Sequence, residues 1–153
     1  MQSGKYFEEF EASDSYASRW KNVTETQLVN FLNNSGMIEP LFDDPTFREE
    51  FAGQSKQMIP GLLTTTIAYG FFTQSSWLTE TGLALVDLRT SFEEPVFVGD
   101  DLQCEISVTE TTPTSSDRGG IVNLDWEIYA RRDDDIETVA TIESTHFVRK
   151  RDE

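Results

Sequence analysis

The sequence predicts an α+β domain in which an antiparallel sheet wraps around one long, buried helix. Three observations carry this. The stretch "LLTTTIAYGFFTQSSW" (62–77) is apolar on nearly every side, as a helix enclosed by other structure must be. Segments with a two-residue hydrophobic period fill the second half of the chain, as in a sheet with one covered face. Helical patterns are confined to the first half, the order expected when helices pack on one side of an antiparallel sheet.

Each element has its own signal. "SRWKNV" (18–23) reads as a short extended lead-in. Thr24 and Gln27 match a capping box, and Leu28, Phe31 and Leu32 form the apolar stripe of the helix behind it. Asn34 to Gly36 end that helix. Asp44 and Pro45 open a second one, with Phe47 and Phe51 one turn apart, and Gly53 closes it. The central helix follows Pro60 and Gly61. Its three consecutive threonines and Gly70 are poor helix formers, so packing must hold it. Four strands are then expected at about 84–93, 102–109, 122–131 and 137–149, joined by hairpins. "RRDDD" reads as a hairpin tip, with Asp133 to Asp135 solvated rather than holding a metal. The outer strand edge needs protection, often by a second copy of the chain.

Composition sets limits. The 153 residues suit one domain, taken as 1–153. Lys plus Arg total 12 against 28 Asp plus Glu, a net charge of −16, which repels nucleic acid and anionic lipid. Such a charge fits a high-salt cytoplasm, where screening relieves the repulsion, and equally an ordinary acidic protein. No apolar run is long enough to cross a bilayer, and the acidic N-terminus has no signal core, so a cytoplasmic location is expected. Cys104 is the only cysteine, which excludes an intrachain disulfide and a multi-cysteine metal site. It falls among core-facing strand residues.

Three stretches resemble the MaoC-like hydratase/dehydratase family of the hot-dog fold. "VTETQLVNFLNNSG" (23–36) is similar to the family's opening. "PGLLTTTIAYG" (60–70) is similar to the start of its central helix. "LRTSFEEPVFVGDDLQCEISVTE" (88–110) is similar to its strand pair around "PV-x-x-GD". The resemblance covers about residues 4–149. It implies a hot-dog domain, no cofactor, an acyl-CoA or acyl-carrier thioester as ligand, and a dimer with continuous sheets and pockets at the interface.

The family's catalytic loop reads G-D-x-N-P-x-H, then Asp after one residue. Gly36, Pro40 and Asp44 align with it. Met37 stands at the catalytic Asp position, Glu39 at the Asn position and Phe42 at the catalytic His position. Pro60 replaces the histidine that precedes the helix glycine, here Gly61. Hydrating an enoyl thioester needs a base for water, an acid for the α-carbon and donors for the enolate oxygen. Met37 and Phe42 move no protons. The backbone N–H at Gly61 survives side-chain replacement. The resemblance thus implies ligand contacts at Met37, Glu39, Phe42, Pro60, Gly61 and Leu62 without the usual catalytic pair.

Glu39 is the one nearby carboxylate that offers an alternative base; a solvated loop residue is the plainer reading. Asp43 and Asp44 read as helix-capping acids. His146, the only histidine, reads as a packed or edge residue and makes no metal site alone. Tyr69, Thr64 to Thr66, Lys56 and Gln57 are polar groups near the helix, read as ligand contacts or as packing and exposed surface. Lys56, Arg89, Arg131 and Arg132 are candidates for a basic patch facing coenzyme A. Three functions compete: a non-catalytic acyl-thioester binder, by itself or as the inactive half of a heterodimer whose partner carries Asp and His; a thioesterase using Glu39; and a structural or regulatory dimer with a filled cavity.

Overall fold

A computed structural model of the chain describes residues 3–152. After a short 3-10 turn at Phe7–Glu9, the chain forms β1 (Ser15–Ala17) and β2 (Lys21–Asn22), then α1 (Glu25–Ser35), α2 (Pro40–Asp43), α3 (Pro45–Ala52) and α4 (Gly61–Gln74). Four long strands follow: β3 (Gly82–Phe92), β4 (Asp101–Thr112), β5 (Gly119–Arg132) and β6 (Asp135–Arg149).

Local chemistry sets most boundaries. Thr24 Oγ1 accepts from Gln27 N at 3.2 Å, and Gln27 Oε1 accepts from Thr24 N at 2.9 Å, the expected capping box. Gly36 ends α1 with φ 69°, the left-handed conformation that glycine adopts without a Cβ penalty. Asp44 caps α3 by accepting from Thr46 N and Phe47 N. Asp133 and Asp134, both at positive φ, make the two-residue turn between β5 and β6, with Arg132 opposite Asp135.

All strands join one antiparallel sheet in the order β1-β4-β5-β6-β3, with β2 also paired to β4. Its inner face is lined by Leu102, Cys104, Ile106 and Val108 of β4 and by Val122, Leu124, Trp126, Ile128 and Ala130 of β5. These are buried against Leu63, Ala68, Phe71 and Phe72 of α4. Phe72 lies 5.0 Å from Trp126, centroid to centroid. That packing holds a helix whose own propensity is weak. Thr65 and Thr66 return their hydroxyls to the carbonyls of Gly61 and Leu62, which satisfies them inside the helix.

Four expectations need correction. The lead-in is two short strands with Ser18 between them, where Cys104 N donates to Ser18 Oγ at 3.0 Å and breaks the ladder. The central helix stops at Gln74 rather than at residue 77. Ser75 Oγ donates to Phe72 O at 2.6 Å, and Ser76 turns to positive φ. The strands are not all joined by hairpins: β3 lies beside β6, so residues 93–100 cross from one side of the sheet to the other. Finally, β3 lacks a simple covered face. Irregularities between Gly82 and Ala84 and between Leu85 and Asp87 break its alternation, and Leu83, Leu85, Val86 and Phe92 are all exposed. Hydrophobic period alone gives no warning of a one-residue insertion.

Candidate functional site

The start of α4 is fixed by a short ladder. Ile59 N donates to Val96 O at 3.0 Å and Val98 N donates to Gln57 O at 2.9 Å, with Met58 bridged to Phe97. Pro60 then holds the N-cap with φ −60°, a value its ring already sets. Gly61 follows against the ring of Phe92; a Cβ there would lie 2.7 Å from Phe92 Cε1. Close approach of the Phe92 ring tip, and not the backbone angle, is what favours glycine here. Leu63 N and Thr64 N both donate to Pro60 O. The N–H groups of Gly61 and Leu62 take no partner among the described residues, as expected for the first turn of a helix.

The loop after α1 closes over this helix start. Gly36 turns the chain, Met37 is half-buried, and α2 carries Leu41 and Phe42 inward. A cleft of about 510 Å³ lies between them. Met37, Phe42, Pro60, Gly61 and Leu62 all line it, although they come from separate parts of the sequence. Glu39 does not. Its carboxylate is exposed and accepts from Leu41 N at 3.4 Å as the cap of α2.

Sequence reasoning missed part of the wall. Leu41 and Met58 extend the apolar floor, while Phe92, Glu93 and Glu94 bring the end of β3 to the rim. Glu93 and Glu94 are the ionisable side chains that line the cleft among the described residues. Their signal was present: they stand immediately before "PV" in the best-matched motif. Val96 is held by the turn behind it, where Phe97 N donates to Asp100 Oδ2 at 2.9 Å.

No family model matches this chain, and no curated protein does either. Solved structures do. A monoamine oxidase regulatory protein from Archaeoglobus fulgidus matches with TM-score 0.88 and 24% identity, over 99% of this chain and 98% of its own. A MaoC-like dehydratase from Rhodospirillum rubrum matches with TM-score 0.82 and 20% identity, over 98% of this chain and 100% of its own. A Mycobacterium tuberculosis protein described as having a double hotdog fold matches with TM-score 0.76 and 18% identity, over 95% of this chain and 41% of its own. This chain has the hot-dog fold.

Within this hot-dog domain the other candidate residues disperse. The expected basic patch does not form as one surface. Lys56, Arg131 and Arg132 share a concave region, but Arg89 lies on the outer face of the sheet beside Glu143, at 3.4 Å. Arg131 and Arg132 are moreover paired with Asp101 and Asp100, and Asp133 and Asp134 share the same surface. Strand register separates these cations, which sequence distance cannot show.

Thr64 is buried beside the cleft, and Tyr69 faces the opposite end of the helix. His146 is 1% exposed, and burial pushes it down to about 4, so its imidazole is neutral near pH 7. Burial pushes the Cys104 thiol up to about 11, which leaves it an inert core residue. No cluster of three or more metal-ligating side chains occurs among the described residues. None of their helices is long and apolar enough to cross a membrane.

Proposed function

We propose that this chain is a MaoC-like protein that binds acyl thioesters in the cleft at the start of α4 without carrying out standard hydration. The supporting observation is a ligand-sized space beside Met37, Phe42 and Gly61 whose walls hold no histidine and no aspartate. The free N–H groups of Gly61 and Leu62, at the positive end of α4, suit a thioester carbonyl. The apolar walls suit an acyl chain. Losing a general acid or base removes ~10²–10⁴-fold in rate, and the losses are not additive.

The chain acts in this reading as a dimer, through the exposed edge of β3. It pairs either with itself or with a catalytically complete relative that supplies Asp and His. An unpaired apolar edge strand is otherwise a liability.

Hydrolysis is the second reading. The two carboxylates at the rim favour it, and Glu93 and Glu94 take the place that sequence reasoning gave to Glu39.

The deciding experiment is a thermal-shift series with acyl-CoA esters of increasing chain length, run beside hydration and hydrolysis assays on the purified chain. Stabilisation that rises with ligand concentration, without hydration, is expected. Rapid hydration of crotonyl-CoA by the chain alone would contradict the non-catalytic reading. No stabilisation by any ester would contradict binding. Hydrolysis lost in Glu93→Gln or Glu94→Gln would favour the second reading.

A further inference from the structure

Residues 38–53, which hold α2 and α3, form one side of the cleft at the start of α4. Among the described residues, every hydrogen bond that this segment makes stays within 38–54. None of its carboxylates joins an ion pair there. None of its apolar side chains belongs to the core that packs on α4. Ile38 and Phe51 are 91% and 82% exposed, and Arg48 is the one buried residue of the segment.

The two helices nevertheless hold each other. Asp44 closes α2 by donating its N–H to Pro40 O and opens α3 by accepting from Thr46 N and Phe47 N, so no free linker lies between them. Arg48 Nη1 then donates from α3 back to Leu41 O in α2 at 3.3 Å. At either end of the segment stands a glycine in the left-handed conformation, Gly36 at φ 69° and Gly53 at φ 61°. A Cβ at either would meet nothing within 4 Å, so neither pivot is wedged by a neighbour. Glycine's wide backbone range lets both ends turn.

We infer that residues 38–53 are a lid that swings as one body on Gly36 and Gly53 and closes over an occupant of the cleft. Opening breaks no described hydrogen bond to the rest of the domain, which puts the segment at the low-stability end of the fold. Leu41 and Phe42 line the cleft from the lid and are half-buried. An acyl chain gives their remaining apolar surface the partner that the core does not, and burying that surface drives closure. The inference rests on the thioester reading for the identity of the occupant; the swing of the lid stands without it.

Nitrogen-15 relaxation dispersion on the whole chain reads collective motion of this kind, on the microsecond-to-millisecond scale. In the free protein, residues 38–53 should share one exchange rate while α4 and the strands give flat profiles. Saturating octanoyl-CoA should quench that exchange as the lid closes. Phe42→Ser should keep the motion of the free protein and need at least ~10-fold more octanoyl-CoA to quench it, because the lid loses a ring from its inner face. Flat profiles across 38–53, or different rates for α2 and α3, overturn the proposal. So does octanoyl-CoA that shifts the signals of α4 without quenching the lid, or quenching that Phe42→Ser leaves unchanged. Octanoyl-CoA that shifts no signal anywhere refutes the thioester reading instead, and the shared rate in the free protein then still establishes the lid.

Discussion

The Asp100 carboxylate holds the Arg132 guanidinium through both oxygens, at 2.7 Å to Nε and 2.8 Å to Nη2. Arg132 Nη2 also donates to Pro95 O, and Asp100 accepts from Phe97 N, so one ion pair pins the whole turn from Pro95 to Asp100. That turn carries Val96, which forms part of the cleft wall and braces Ile59 ahead of α4. Asp100 is buried while Arg132 remains partly open to water, and burial of one partner strengthens a bidentate pair.

Asp100→Ala should therefore destabilise the fold by ~2–4 kcal/mol, since it removes both charge-assisted bonds to the guanidinium and orphans the Phe97 N–H. Urea unfolding measures this. A loss under ~0.5 kcal/mol would mean that the turn holds itself.

His146 gives a pH dependence with a definite sign. Its folded value of about 4 lies below the ordinary 6.5, so the unfolded chain binds the extra proton. Its contribution is fully present above pH 6.5 and is lost as pH falls toward about 4. The full difference is worth about 3 kcal/mol at ~1.4 kcal/mol per pH unit. Unfolding free energies across this window should fall less steeply for His146→Gln than for the parent chain. Parallel slopes would refute the assignment.

Gly61→Ala tests how tightly Phe92 closes the helix start. The new Cβ would meet the ring tip, which is free to swing away because Phe92 is 51% exposed. Stability should change by less than ~1 kcal/mol, because the gain in helix propensity offsets the displacement. The displaced ring should enter the cleft, and acyl-CoA stabilisation should fall. Phe92→Leu in the same chain should restore it, as a double-mutant cycle would register.

The open β3 edge predicts self-association. Sedimentation should give a species of twice 17.4 kDa for the chain alone, or for a mixed pair with its relative. Val86→Arg places a charge on the exposed bulge and should shift the population to monomer. A mass that does not respond to this substitution would locate the interface elsewhere.

Local order was legible wherever a few neighbouring residues decide it. The Thr24 capping box, the Gly36 stop, the Asp44 cap and the Asp133–Asp134 turn each depend on contacts within about four residues, and each was readable. The buried side of α4 was readable too, but the helix is not enclosed all round: Leu63, Thr64, Ala68, Phe71 and Phe72 are buried while Leu62, Thr66, Thr73 and Gln74 are exposed. That Met37 and Phe42 move no protons was readable as well, since residue identity alone decides it.

Only the tertiary structure decided what these residues meet. Glu39 left the cleft and Glu93 and Glu94 entered it, because the strand crossing, and not sequence distance, brings the end of β3 to Gly61. Arg89 parted from Arg131 and Arg132 because sheet order separates their strands. Trp126, Ser144 and His146 are linked by hydrogen bonds because β5 pairs with β6 in one register out of several possible. Short-range hydrogen bonding is written in adjacent residues; long-range pairing is chosen by the burial of a whole sheet against one helix, and no local stretch contains that choice.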